Sequence, residues 1–211
     1  HGEMAGHKEG WWKSCFYEPS VGIPLLMRAP PGMFPPRSIP QVCNLIDVGP
    51  TVLDLLGIGR LRPCEGRSLR PLLEDQAEDW KEETFSEFVE VKTEGDWRAA
   101  RMIRSGPWKL WEYVDSREQP PALYNLEADP EEEQDLWGNP EYLELGETLR
   151  KRLHQNWDPD KVLRESKRLH QAFVALRERI EREPVPAPYQ LIPPPMDREQ
   201  NINTQEHRFT S

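Results

Sequence analysis

The sequence predicts an α/β chain, and three features predict it. A short apolar run and a helix-spaced segment fill the first third, alternation broken by Gly/Pro turns fills the middle, and two segments with apolar residues three to four apart come last. At 211 residues the chain can bury one good core, or a modest core with an appendage, so at most two structural units are expected.

Residues 1–22 are rich in Gly, Trp, His and charged groups without periodicity, which predicts an irregular loop of the kind that carries sites. The run Ile23-Pro24-Leu25-Leu26-Met27-Arg28 sits between Gly22 and Pro30-Pro31-Gly32, and its length and brackets predict a buried strand with Pro24 at its start. From Leu45 to Leu56, Val48, Val52, Leu55 and Leu56 fall at helical spacing, with Pro50 in the first turn and Gly57 and Gly59 as the stop. Thr84 to Leu126 alternates through Phe85, Phe88, Val91, Met102-Ile103, Trp108 to Trp111 and Leu123-Tyr124, predicting an antiparallel sheet joined by turns such as Gly106-Pro107. Two helices are then predicted from stripes at Tyr142, Leu145, Leu149, Leu153 and at Val162, Leu169, Phe173, Leu176, Ile180, parted by Asp158-Pro159 as N-cap and first-turn proline. Residues 184–211 are Pro-rich and then polar, an extended arm or tail.

Composition removes several function classes. There are 37 acidic against 27 basic residues, a net charge of −10, and the bases are interleaved with acids, so nucleic acid is excluded as a partner. The longest apolar runs fall far short of the roughly 20 residues of a membrane span, so no membrane partner is expected. Cys15, Cys43 and Cys64 lie far apart with no CxxC pair, which leans toward a reducing compartment and leaves open a periplasmic protein with unpaired thiols. The chain opens at His1 with neither Met nor a charged-then-apolar leader; we read the opening as the middle of a motif, silent on export.

The opening loop holds a candidate metal ligand, His1, and twelve positions on a candidate anion ligand, Lys13, among Trp11, Trp12, Phe16 and Tyr17. An ammonium desolvated by such a wall holds a sulfate or phosphate oxygen strongly. His7 is either a substrate-side residue or a solvated loop histidine.

Four ordered stretches carry a resemblance. They are His1-Gly2-Glu3-Met4-Ala5-Gly6-His7 with Trp12-Lys13-Ser14, Phe16 to Ser20 and Ile23-Pro24-Leu25; Ile46 to Ile58; Glu65-Gly66-Arg67-Ser68-Leu69-Arg70-Pro71-Leu72-Leu73; and Met102 to Leu110 with Leu123 to Glu132. Together they resemble the late metal-and-sulfate segment of type I sulfatases, of the alkaline-phosphatase superfamily, and the helix, loop and small sheet that come after it in that family.

The resemblance implies an alkaline-phosphatase-like fold, with residues 1–80 as the C-terminal part of the catalytic α/β domain at the edge of a mixed sheet. Residues 81–183 would form a small antiparallel sheet subdomain with packed helices, and 184–211 the tail. It implies His1 as a metal ligand following an Asp just before this chain, and Lys13 as the catalytic and substrate-binding cation; His7 stands beside them as the further substrate-binding candidate, on its own reading. Arg67 is expected to be a structural ion-pair partner. The metal would be Ca2+, with Mn2+ the alternative because His at position 1 resembles choline-sulfatase-like and phosphonate monoester hydrolase-like relatives.

The family's nucleophile is a formylglycine made from Cys/Ser-x-Pro-x-Arg. None of the cysteines here has that context, and Ser38-Ile39-Pro40 is followed by Val42 where Arg is required. The nucleophile and the Asp ligands are therefore expected upstream, and this piece alone is not expected to turn over. The activity implied first is hydrolysis of a small-molecule sulfate ester; the alternatives are phosphonate monoester or phosphodiester hydrolysis and a non-catalytic sulfatase-like binding protein. A homo-oligomer contact is expected, if anywhere, through the C-terminal helix and tail.

Overall fold

The computed structural model describes residues 2–59, 63–93, 96–114 and 119–182; His1 and the 184–211 tail lie outside the described residues. By internal contacts the chain divides into residues 1–164 and 165–211, and the described part of the second unit is the later portion of one helix.

A four-stranded antiparallel meander forms the centre of the first unit: β1 (Glu83–Thr93), β2 (Asp96–Ser105), β3 (Trp108–Tyr113) and β4 (Ala122–Asn125), in that spatial order. The alternation read in the sequence is realised here. Ser105 pairs with Trp108 across Gly106-Pro107, and Gly106, at φ 54, takes the left-handed first position that a tight hairpin turn requires.

The two-residue period sends side chains to two covered faces. On one face Ala100, Met102, Trp111 and Tyr124 pack with Phe16. On the other Ala99, Ile103, Leu110 and Leu123 pack with Leu149, Leu153 and Trp157. Helix α4 (Leu143–His154) covers that second face, and α5 (Pro159–Arg182) begins beside it, with the Lys161 N–H donating to the Asp158 carboxylate at 2.9 Å.

Helix α2 (Val48–Leu55) follows a single 3-10 turn (Leu45–Asp47) and ends at Leu56 before Gly57, at φ 67, as the spacing predicted. The face it buries is not the apolar one. Thr51 and Asp47 are buried, whereas Val52 and Leu56 are 44% and 65% exposed.

The reason is the loop at residues 65–69. The Arg67 N–H donates to Asp47 Oδ1 at 2.7 Å, the Ser68 hydroxyl to Asp54 Oδ2 at 2.6 Å, and the Leu69 N–H to Thr51 Oγ1 at 2.8 Å. Two backbone N–H groups and a hydroxyl need acceptors there, and these three side chains, on one side of the helix, provide them. Gly66 makes the approach possible, since a Cβ there would sit 2.1 Å from the Ile46 carbonyl oxygen. Arg67 is structural, though by stacking on Trp80 at 4.0 Å and donating to the Lys81 carbonyl, with no acid paired to it among the described residues. Helix α3 (Arg70–Leu73) then buries Leu72.

One expectation is corrected. Ile23–Arg28 is not a strand: Leu25, Leu26 and Met27 are exposed by 42%, 94% and 40%, and they line an apolar groove of about 780 Å³ with Val52 and Leu56. A strand is defined by a neighbour's ladder, and no described strand pairs with this run. The α5 stripe is helical as its spacing predicted, and Val162 at its start packs against the Trp157 cluster. Among the described residues no helix is long and apolar enough to cross a membrane.

Candidate functional site

The loop that carries the predicted site is closed on itself by backbone bonds: Met4 N–H to the Trp12 carbonyl at 3.3 Å, His7 N–H to Met4 at 2.8 Å and Gly6 N–H to Gly10 at 2.8 Å. Ala5, Lys8 and Glu9 adopt positive φ, a local conformational cost that persists only where surrounding contacts over-determine it. The loop is anchored by Met4, which lies beside Gly10, and by Phe16, which packs into the sheet cluster, with 5% and 1% of their surface exposed. Burial of a phenylalanine side chain is worth roughly 2–3 kcal/mol, enough to offset one or two such residues.

Lys13 does not sit in the aromatic wall the sequence suggested. Phe16 and Tyr17 turn to the sheet, where Tyr17 meets Trp111 edge-on at 5.0 Å, while Trp11 and Trp12 are 67% and 72% exposed. Lys13 itself is exposed. Its backbone, by contrast, is held: its carbonyl accepts from the Cys15 N–H at 2.6 Å and from the Ser20 hydroxyl at 3.0 Å.

Ser20 belongs to the one-turn helix α1 (Glu18–Val21). Gly2 packs directly on it, for a Cβ at position 2 would lie 2.1 Å from the Pro19 carbonyl oxygen and 2.7 Å from that of Ser20. Gly2 and the backbone of Lys13 thus converge on Ser20. The residue before Gly2, His1, lies outside the described residues.

A buried ionic network anchors α1. Lys109 Nζ lies 2.8 Å from Glu18 Oε1 and 2.7 Å from Glu132 Oε1, and the Glu18 N–H donates to Glu132 Oε2 at 2.6 Å. Lys109 and Glu132 are both fully buried, so Glu132 relies on Lys109 for charge compensation and Lys109 on Glu132 together with Glu18.

Sequence reasoning missed this network. Lys109 had a signal, because it lies two residues from Trp111 and so on the same face of a strand that is apolar on both sides. Glu132, in an exposed-looking acidic run, had none.

His7 lies between Tyr17 and Glu131. Its ring meets Tyr17 edge-on at 6.4 Å, its Nδ1 is 3.9 Å from Glu131 Oε2, and its Nε2 is buried with no hydrogen-bond partner among the described residues. Nearby, burial first and then the Tyr17 hydroxyl push the Tyr124 phenol above the usual tyrosine range, so it stays protonated. No hydrogen bond or ion pair joins His7 to Lys13 among the described residues.

Cys15, Cys43 and Cys64 are free thiols. Among the described residues no three His, Cys, Asp or Glu side chains come together to hold a metal, so they do not constitute a metal site by themselves.

A family profile described as N-sulphoglucosamine sulphohydrolase, C-terminal, matches residues 6–158. Arylsulfatase K of Gallus gallus is 35% identical over 142 residues, covering 63% of this chain and 25% of that protein. Choline-sulfatase of Rhizobium meliloti (strain 1021) is 37% identical over 143 residues, covering 66% and 26%. N-acetylglucosamine-6-O-sulfatase of Bacteroides thetaiotaomicron is 27% identical over 164 residues, covering 72% and 29%. The chain therefore spans about a quarter of the length of the curated relatives it matches. With the profile running through the loop, α2, the meander and α4, the chain belongs to the N-sulphoglucosamine sulphohydrolase C-terminal family.

Proposed function

We propose that this chain is part of a sulfatase that hydrolyses small-molecule sulfate esters, and that it contributes Lys13 as the cation binding the sulfate and His1 as one ligand of a divalent metal. The observation that supports the reading is that Gly2 packs on the same short turn whose Ser20 hydroxyl holds the Lys13 carbonyl. The sulfatase names of the relatives support the chemistry.

Lys13 offsets charge on the sulfuryl oxygens as the ester bond breaks, an interaction that strengthens as that charge develops. His7 is a substrate-side residue in this reading, and its buried Nε2 without a partner is what supports it. The nucleophile is a formylglycine from outside these 211 residues, which contain no Cys/Ser-x-Pro-x-Arg. The metal is Ca2+, with Mn2+ as the alternative, and its remaining ligands come from polypeptide beyond this chain. Residues 1–80 belong to the catalytic α/β domain and 81–183 to a sheet-and-helix subdomain.

Imidazole at position 1 suits transition metals better than calcium, which favours a second reading, phosphonate or phosphodiester hydrolysis on the same scaffold. The test is the full-length protein carrying this chain, assayed with an aryl sulfate and an aryl phosphonate in parallel. Sulfate turnover in excess, falling about 100-fold in Lys13→Ala, is the expected result. Excess phosphonate turnover would reverse the ranking, and absence of both would favour a non-catalytic binding protein.

A further inference from the structure

We propose that Ser20 is a positioning residue for Lys13, and that the buried Lys109–Glu132 pair sets Ser20 in place. The inference rests on the reading of Lys13 as the sulfate-binding cation.

Helix α1 has four residues, too few to hold a helical turn on their own account. Its place is therefore dictated from outside. Glu132 accepts the Glu18 N–H, Lys109 bridges the Glu18 and Glu132 carboxylates, and Tyr17 is seated against Trp111. The turn so fixed presents Ser20, 9% exposed, whose hydroxyl is spent on a carbonyl seven residues earlier.

That carbonyl belongs to Lys13, and it also receives the Cys15 N–H. The root of the lysine is thus held by two donors, while its side chain is exposed and makes no ion pair among the described residues. A four-carbon stem reaches many points, and fixing its root narrows those points to the ones that serve an anion. A serine retained for packing alone would have no such connection to the lysine.

The experiment uses the full-length protein carrying this chain, with inorganic sulfate as competitive inhibitor and an aryl sulfate as substrate. Ser20→Ala is expected to raise Ki for sulfate and KM about tenfold, while the melting temperature moves by only about 2–4 °C. Ser20→Thr, which restores a hydroxyl, returns Ki toward wild type. In a Lys13→Ala background Ser20→Ala changes Ki less than about twofold, because the two act through one group. Glu132→Gln, which keeps an acceptor for the Glu18 amide but removes the charge, raises Ki a few-fold in the same direction and serves as the second probe.

Wild-type Ki in both Ser20→Ala and Glu132→Gln, or an equal effect of Ser20→Ala with and without Lys13, overturns the positioning role and leaves the sulfate reading standing. A Lys13→Ala variant with unchanged Ki overturns the sulfate reading itself, and the positioning role with it.

Discussion

Lys109 Nζ lies 2.7 Å from Glu132 Oε1, with neither side chain reaching solvent. Removing one partner strands the other in a low-dielectric interior, which costs far more than removing both. Lys109→Met should destabilise the full-length protein by about 3–5 kcal/mol, whereas Lys109→Met with Glu132→Gln should recover much of that loss. Thermal melting of the two variants decides it; an additive pair of effects would show that the groups are not coupled.

On the opposite face of the sheet Glu112 accepts two bonds from Arg150, at 2.8 and 3.0 Å, and lies 2.9 Å from His154 Nε2. Burial alone would push its carboxyl up, but the hydrogen bonds from Arg150 and His154 outweigh burial and hold it below the ordinary 4.5. Glu83 follows the same balance, with Arg152 and Lys81 as its partners. A carboxyl depressed in the folded state stabilises above its unfolded pKa, and that stability is lost as pH falls from about 4.5 through the lower folded value. Melting temperature followed downward from pH 6 should drop steeply below about 4.5 in wild type and less steeply in Glu112→Gln; identical slopes would count against the linkage.

Gly2 is the residue on which loop closure depends most directly, because the atoms a Cβ would strike are backbone. Gly2→Ala must therefore move the loop and not merely a rotamer. A displacement of about 1 Å at a substrate-positioning element typically costs on the order of 100-fold in rate. The expected outcome is a loss of that order in kcat/KM of the full-length protein with little change in melting temperature, and near-wild-type kinetics would refute it.

Thr51→Val keeps the shape of a fully buried side chain and removes the acceptor of the Leu69 N–H. An orphaned buried donor costs about 1–3 kcal/mol. Hydrogen exchange should find the Leu69 amide markedly less protected in the variant, and unchanged protection would mean the clip between α2 and the 65–69 loop is dispensable.

Elements and their limits were written locally. Pro50 and Gly57 bracketed α2, Gly106-Pro107 marked the hairpin, Asp158-Pro159 separated the last two helices, and four ordered stretches carried the sulfatase likeness. Such signals depend on steric preference and periodicity within a few residues, so they survive without knowledge of the partner.

Which surfaces met was decided only in three dimensions. Helix α2 turned Asp47 and Thr51 inward, because loop amides some twenty residues on required acceptors there; Phe16 and Tyr17 left Lys13 for the sheet; and the apolar run at 23–28 paired with no described strand. A one-dimensional pattern states which groups are apolar or charged. Which of them become buried, and so which charges must be paired as Lys109 and Glu132 are, depends on surfaces brought together from distant parts of the chain.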